Sequence, residues 1–422
     1  MSPLLIGLLA GAALVSAMWL YALLLPSQWR AIRFLYDVGD SPAVTNNGFP
    51  HDDAPAVYAG DPDPWPDVLI IAPGRNEGHL LEKTIGSLCA MTYPRFRVVF
   101  VDDQSTDNTR EVCEKLAARF PHFSVIHNIT PPPPGWIGKT WAVAQAEPLT
   151  QSAEWILFTD SDLEYHPECL TQAVRLQHHR SADLVSFLPA LKFETLGELL
   201  GLLPAMTLIC IKIPLAAAND PADSRALIAG GFFLIRGELY RHLRGHSGVR
   251  GQVIEDIAFG QRAKAAGKRV FTAATHTLFS ARMYEGWADT YNGLKKNAYA
   301  GANYRPLAIL PITFFLLFIG ALVPAYALAA AIACILHPTP VTIALLAVTL
   351  TGFAAQLAVG IRSAWFLSLR PLTAFALAPG FAFYALIFLA SVLDHYRGGN
   401  TWAGRRMAPQ NVRSLAQTDR DG

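Results

Sequence analysis

The sequence predicts an α/β domain with a mostly parallel sheet, carried between hydrophobic segments at both ends of the chain. Three observations predict it. From Asp67 onward, short β-branched runs alternate with helical stretches, the pattern of βαβ units. Pro3–Leu25 is a continuous apolar run. Between Arg305 and Asp394 only Arg362 and Arg370 are charged, and no water-facing surface of that length goes with so little charge.

Each element follows in order. The run Pro3–Leu25, about 23 residues, is long enough to span ~30 Å of hydrocarbon. A cleaved signal peptide would need basic residues before the run, and Arg30 and Arg33 follow it instead. Residues 1–29 therefore read as an anchor, and the positive-inside rule puts the chain from Arg30 onward in the cytoplasm. Residues 30–66 are rich in Pro, Asp, Gly and Asn without an apolar period, and read as a linker. Strands are expected at Val68–Ala72, Arg97–Val101, Ser124–His127 and Trp155–Thr159, with helices Leu80–Met91, Thr109–Phe120 and Thr140–Glu147 between them. Leu184–Leu188, Phe232–Ile235 and Arg269–Thr272 add further strands. The globular domain runs over 67–305.

Residues 306–394 hold three hydrophobic blocks, about Leu307–Leu336, Val341–Ile361 and Leu372–Leu393, with Pro311 and Pro324 expected to kink or shorten the first. Three crossings would leave the basic tail 395–422, with Arg397, Arg405, Arg406 and Arg413, outside; a re-entrant or split block is the alternative. Leu196–Ala218 is also apolar, with Pro204 and Pro214 expected to break it. It reads either as a buried core helix or as a segment dipping into the headgroup region.

Composition narrows the function. The 422 residues are 52% hydrophobic and 16% charged, against about 25% charged in soluble proteins. That excludes a disordered chain and a fully soluble enzyme. A formal charge of +1, from 34 basic and 33 acidic residues, gives no basic footprint for nucleic acid. Five scattered cysteines with no Cys-x-x-Cys pair support neither a disulfide framework nor a zinc knuckle.

In open α/β sheets, ligands bind beyond the carboxyl ends of the strands. The polar clusters stand there: Pro73-Gly74-Arg75-Asn76-Glu77, Asp102-Asp103-Gln104-Ser105-Thr106-Asp107 and Asp160-Ser161-Asp162. No G-x-G-x-x-G follows the first strand and no G-x-x-x-x-G-K-[ST] is present, which disfavours a dinucleotide enzyme and a P-loop ATPase. Asp160 and Asp162 at a strand end can hold one hard divalent ion, Mg²⁺ or Mn²⁺, together with substrate phosphates.

With Ile254-Glu255-Asp256 added, these motifs resemble, in order and spacing, the GT-A catalytic domain of the family 2 glycosyltransferases over residues 67–305. Pro134-Gly135-Trp136-Ile137-Gly138-Lys139-Thr140, Arg282-Met283-Tyr284 and Arg397-Gly398-Gly399 with Trp402-Ala403-Gly404-Arg405 are most similar to the membrane enzymes associated with hopanoid biosynthesis, then to the carotenoid glycosyltransferases.

The resemblance implies roles. A nucleotide-diphosphate sugar, usually UDP-linked, would bind with Asp102 or Asp103 on the uracil or ribose. Pro73, Arg75, Asn76 and Glu77 would line the nucleoside pocket, Lys139 would stand near the diphosphate or the base, and Gly230 and Gly231 beside the sugar. Asp162 would be the direct ligand of Mg²⁺ or Mn²⁺, with Asp160 on the ribose or the metal. Asp256, beside Glu255, would be the general base of a single, inverting displacement. Processive members carry Gln-x-x-Arg-Trp, which is missing here; that favours one transfer over polymer synthesis. Arg282 or Lys296 would replace the arginine at the diphosphate, or contact lipid phosphates.

The expected protein is thus a multi-pass inner-membrane enzyme with a cytoplasmic catalytic domain, moving one sugar to a lipid hydroxyl, with no nucleic-acid partner. A polyprenyl-phosphate glycosyltransferase and a catalytically silent nucleotide-sugar-binding membrane protein are the alternatives. A transporter would need ionisable residues along its path, and the apolar blocks hold almost none.

Overall fold

The computed structural model describes residues 3–24, 34–35, 61–252, 254–302, 304–397, 401–402 and 405–406. Most of the expected linker at 30–66 and of the basic tail lies outside the described residues, including Arg30, Arg33, Gly398, Gly399, Ala403, Gly404 and Arg413. The chain forms two compact units. One comprises Ile32–Lys192, Leu215–Ala281 and Gly398–Gly422; the other Met1–Ala31, Phe193–Pro214 and Arg282–Arg397.

The first unit is α/β. Its strands, apart from the short pair Thr401–Trp402 and Arg405–Arg406, are β1 (Phe34–Leu35), β2 (Val68–Gly74), β3 (Phe96–Asp103), β4 (Phe123–Asn128), β5 (Trp155–Thr159), β6 (Glu164–Tyr165), β7 (Leu184–Leu188), β8 (Ala190–Leu191), β9 (Phe232–Arg236), β10 (Val270–Thr275) and β11 (Phe279–Ala281). Among the described residues, eight of them form one sheet in the order β1-β10-β7-β9-β5-β2-β3-β4. The short strands make a second sheet, β6-β11-β8.

Burial on both faces explains the strand sequences. Val68, Ile70 and Ala72 of β2 enter one hydrophobic core while Leu69 and Ile71 enter the other. Val98 and Phe100 of β3 divide from Val99 and Val101 in the same way. Near-continuous apolar runs are what a sheet covered on both sides demands. Helices Gly78–Cys89 and Thr109–Arg119 return the chain between β2, β3 and β4.

The sheet is parallel except for β9, which pairs antiparallel with both β5 and β7. That reversal has a consequence for the site. Phe232, the first residue of β9, lies opposite Thr159, the last of β5. Gly230 and Gly231 therefore arrive at the same edge as the carboxyl ends of the parallel strands.

The second unit is helical. Its main elements are Pro3–Leu24, Leu196–Lys212, Gly286–Ala298, Val323–Leu336, Pro340–Phe366 and Leu377–Tyr396. Ile6–Leu24, Pro340–Phe366 and Pro371–Tyr396 are each long and apolar enough to cross a membrane. Pro306–Ala321 and Val323–Leu336 meet the same test as a pair, bent by 51°.

The bend falls where Pro324 was expected to disturb the first block. Phe315–Ala321 is wound as a π-helix, with Leu322 N donating to Leu317 O at 2.9 Å. Wide winding frees carbonyls, and buried carbonyls need donors. Neighbouring helices supply donors instead: Trp19 Nε1 to Ile319 O at 2.7 Å and Gln356 Nε2 to Gly320 O at 2.6 Å.

Pro3–Leu24 and Pro340–Phe366 run in the same direction. Ser16 Oγ donates to Val348 O at 2.7 Å, and Arg362 donates to Leu23 O at 2.5 Å.

Leu196–Lys212 departs from the sequence expectation, since Pro204 sits inside the helix rather than ending it. A capping box of Thr195 and Glu198 starts the helix, and Leu202, Leu203, Pro204 and Ala205 are buried. Packing on this face outweighs the cost of a proline within the helix. Leu196 and Ile209 remain exposed. Burial is thus heaviest over residues 197–207 and gives way to exposure toward the carboxyl end.

Candidate active site

The site grows from the strand ends. The backbone of Asn76, after β2, is left-handed at φ 58°, and that of Gln104, after β3, at φ 60°. Asparagine tolerates that region better than most residues, and here its side chain is also used. Asn76 Oδ1 accepts from Thr106 N at 2.8 Å, and Asn76 N donates to Ser105 Oγ at 2.9 Å. The two turns are thereby laced together.

Asp102 and Asp103 are buried at the end of β3. Asp102 Oδ1 accepts from Ser105 N at 3.0 Å, and its Oδ2 lies 3.0 Å from His127 Nδ1. Asp103 Oδ1 accepts from Asn128 Nδ2 at 2.8 Å. Arg75 Nε is buried without a hydrogen-bond partner. A guanidinium edge in that state suits an incoming anionic or carbonyl group.

Glu77 connects the first turn to the Asp160-Ser161-Asp162 turn. Its carboxyl is hydrogen-bonded to Ser161 Oγ, which donates to Pro73 O at 2.9 Å. Burial above all, aided by the charges of Asp162 and Asp160, pushes Glu77 up to about 7. A protonated Glu77 would donate to Ser161, which satisfies both oxygens. Gly74 makes the approach possible. A Cβ there would lie 2.7 Å from Ser161 Oγ and 2.8 Å from the Phe100 ring.

The charged centre lies beyond β5. Lys139, in the first turn of Gly138–Ala144, places Nζ 2.7 Å from Asp160 Oδ1 and 3.1 Å from Glu255 Oε1. Burial alone would lower the lysine; Asp160, Glu255 and Asp256 together hold it well above its ordinary value. A Cβ added to Gly230 would be 3.1 Å from Asp256 Oδ2 and 3.2 Å from Lys139 Nζ. One added to Gly231 would be 3.6 Å from Asp160 Oδ2. Lys139, Asp160, Glu255, Asp256 and the two glycines therefore converge.

Glu255 and Asp256 occupy the first turn of the helix Glu255–Ala265, where the macrodipole favours carboxylates. Burial, then the neighbouring Glu255 charge, still pushes Asp256 up to about 7 against the pull of Lys139. Asp162 is exposed to solvent in the β5 turn. The protein around it and the charge of Asp160 push it up to about 6.

Among the described residues no group of three or more His, Cys, Asp or Glu side chains could enclose a metal ion. Two carboxylates two residues apart in this turn fit a hard divalent cation that takes its remaining ligands from a bound diphosphate.

Arg282 and Lys296 belong to the helical unit. The Arg282 guanidinium is held by Glu194 at 2.8 Å and by the buried Glu198 at 2.9 Å. Glu198 Oε1 also accepts from Gly286 N at 2.8 Å.

Sequence reading singled out neither Ser161 nor His127 as contacts. Ser161 stood inside a quoted motif. His127 ends a strand beside the one that carries Asp102, which a register assignment would have shown.

Residues 69–200 match the model of Glycosyl transferase family 2. That segment is thus similar to a family 2 glycosyltransferase domain, and the GT-A class expected from the motifs agrees with the mixed, mostly parallel sheet. The 4,4'-diaponeurosporenoate glycosyltransferase of Staphylococcus haemolyticus is 25% identical over 242 residues, covering 56% of this chain and 62% of that protein. The beta-monoglucosyldiacylglycerol synthase of Synechocystis sp. is 33% identical over 79 residues, 18% of this chain and 16% of that one. A mannosyltransferase from Pyrobaculum calidifontis, in complex with GDP-Man and Mn²⁺, aligns with 94% of this chain and 99% of its own at 19% identity and a TM-score of 0.49. The chain thus spans under two thirds of the length of either curated relative.

Proposed function

We propose that the protein is an inverting glycosyltransferase that moves one sugar from a nucleotide diphosphate, UDP being the first candidate, to the hydroxyl of a membrane lipid. The observation that carries the reading is the cluster in which Lys139 joins Asp160 and Glu255, with Asp256 and the Lys139 ammonium against Gly230 and Asp160 beside Gly231, in a chain whose residues 69–200 match family 2. The names of the relatives, a diaponeurosporenoate glycosyltransferase and a monoglucosyldiacylglycerol synthase, favour a lipid-related acceptor; a hopanoid is one such lipid.

Each residue has a task in this reading. Asp102, Asp103, Arg75 and Asn76 receive the nucleoside at the laced turns. Asp162, with Asp160 beside it, would hold Mg²⁺ or Mn²⁺, which would neutralise charge developing on the departing diphosphate. Lys139 adds a fixed positive charge on the same side. Asp256, its proton affinity raised by burial, takes the proton of the attacking hydroxyl. No protein nucleophile is required, so one displacement inverts the anomeric centre.

The acceptor's location follows from the tether. A catalytic domain joined to apolar helices at both ends gains nothing from them with a soluble acceptor. A lipid hydroxyl in the headgroup plane makes sense of them. If the domain is cytoplasmic and Pro3–Leu24 enters the cytoplasm at its carboxyl end, the parallel Pro340–Phe366 does so too. Its start is then outside, and the bent pair Pro306–Leu336 must cross the bilayer rather than turn back. This proposes a multi-pass protein of the inner membrane.

The test is a panel of UDP- and GDP-sugars offered to the purified protein with total lipid extract, read by mass spectrometry. A single hexose added to a lipid supports the reading. Turnover of none of the donors, with or without lipid, would sink it.

A further inference from the structure

Asp256, Gly260 and Lys264 stand four residues apart on the helix Glu255–Ala265, so they share one face. All three meet a single stretch of chain, Ala217–Gly230. Lys264 is buried, and its Nζ lies within hydrogen-bond distance of four carbonyl oxygens, those of Ala217 at 3.0 Å, Asp220 at 2.9 Å, Asp223 at 2.9 Å and Arg225 at 2.7 Å, which share its three N–H groups. One turn toward the start of the helix, Gly260 receives Ala226 and Ile228. A Cβ there would lie 2.7 Å from Ala226 Cβ and 2.7 Å from Ile228 Cγ1. One turn further on, Asp256 faces Gly230. The stretch runs against the helix direction and meets it in three successive turns.

An ammonium ringed by four carbonyls resembles the way backbone oxygens hold a bare monovalent cation. Such a cation organises a loop that has few apolar side chains of its own. Beyond Arg225 the same stretch is pinned by Thr272, whose Oγ1 donates to Leu227 O at 2.5 Å, and by Ser186, which accepts from Ala229 N at 2.9 Å.

We propose that Lys264 is a positioning residue: it seats Ala217–Arg225 on the helix as a built-in cation, and so sets the Gly230 edge of the site against the Asp256 carboxylate. The proposal rests on the glycosyltransferase reading for its catalytic consequence, but not for its structural one.

The experiment uses the full chain in detergent and the nucleotide sugar that the parent turns over fastest. Lys264→Ala removes the cation and leaves space for ethylammonium. UDP affinity should stay within about threefold while kcat falls about 10- to 100-fold, the scale of a small misplacement of reacting groups. Added ethylammonium should restore part of kcat; tetramethylammonium, which cannot donate a hydrogen bond, should not. A kcat per folded molecule within about threefold of the parent, or restoration by both cations alike, overturns the proposal.

Should Lys264→Ala not fold, Lys264→Arg keeps the charge with a planar donor set, and should lower kcat at unchanged UDP affinity; parental kcat then overturns the proposal. Should the parent turn over no nucleotide sugar, the glycosyltransferase reading fails on its own. Amide exchange of residues 226–231 then decides: faster exchange in the alanine variant, slowed by ethylammonium, supports the proposal, and unchanged exchange overturns it.

Discussion

Lys139 Nζ lies 2.7 Å from Asp160 Oδ1, and the same nitrogen reaches Glu255 at 3.1 Å. One ammonium thus joins the turn after β5 to the helix that carries Asp256. Four charged groups share one recess, and the lysine is the cation that lets its carboxylates coexist.

Lys139→Met should therefore do more than weaken donor binding. Without the ammonium, Asp256 loses an interaction that lowers it. The acid limb of the turnover profile should move to higher pH than in the parent, and donor KM should rise about tenfold. A pH profile of kcat at saturating donor checks this. A lowered kcat with an unmoved limb would assign Lys139 to the diphosphate alone.

Asp256 yields a pH prediction with a definite sign. Burial first, and Glu255 next, push it up to about 7. A base acts when ionised, so parental turnover should climb as pH rises through about 7, and Asp256→Asn should abolish that limb. The same variant should keep UDP affinity while turnover drops about 10²–10⁴-fold. Stability runs the other way. A carboxyl raised on folding contributes stability that is present below the unfolded value of 3.8 and lost as pH rises through about 7. Thermal unfolding of parent and variant at pH 5 and pH 8 should show this difference shrinking in the variant.

The positions that form this candidate cluster were partly legible in the sequence, because polar residues at strand ends announce themselves. The strands around Val68, Val98, Trp155, Leu184 and Phe232 read directly from β-branched and aromatic runs buried on both faces. Asp160 and Asp162 stand out because carboxylates after such runs need a reason, whereas Asp256 was marked only by the family resemblance. Phe34–Leu35 and the two-residue strands β6 and β8 did not stand out, since so few residues carry no period. The antiparallel direction of β9 is a tertiary property that no local pattern encodes. Pro204 argued against the helix that contains it, and packing decided otherwise. The Asp256-Gly260-Lys264 spacing was visible in the sequence, but its meaning depends on carbonyls some forty residues earlier.

Asp162→Ala should abolish turnover and leave the fold intact, because the side chain is exposed at a strand end. EDTA should silence the parent, and Mn²⁺ or Mg²⁺ should revive it but not the variant. Circular dichroism and UDP titrations with and without Mn²⁺ separate metal binding from folding. Undiminished turnover in EDTA would remove the metal from the reading.

Gly74→Ala probes the tight passage between β2 and the acidic turn. Its Cβ would press on Ser161 Oγ and the Phe100 ring, both under 3 Å away. Overpacking at such a point costs about 1–3 kcal/mol, so the unfolding temperature should fall. Turnover per folded molecule should fall too, since Ser161 is the link between Glu77 and the Asp160 turn. A parental melting curve would show that the passage relaxes freely.

The acceptor reading stands or falls on the apolar helix Leu196–Lys212. Leu203 is fully buried, whereas Ile209, nearer the carboxyl end, is exposed and Leu208 is half-buried. If this exposed end meets lipid headgroups, a charge there should disturb the acceptor and spare the donor. Ile209→Asp should lower sugar transfer to lipid well below its effect on nucleotide-sugar hydrolysis, with Leu208→Asp behaving similarly but less cleanly. A charge at an apolar membrane site costs up to about 3 kcal/mol, depending on depth, enough for a tenfold or larger loss. Leu203→Asp is the control: an unpaired carboxylate in the packed face should reduce the yield of folded protein and both activities together. If Ile209→Asp behaves like that control, the helix is core on every side. If transfer to a water-soluble acceptor equals transfer to lipid in the parent, the membrane acceptor itself is wrong.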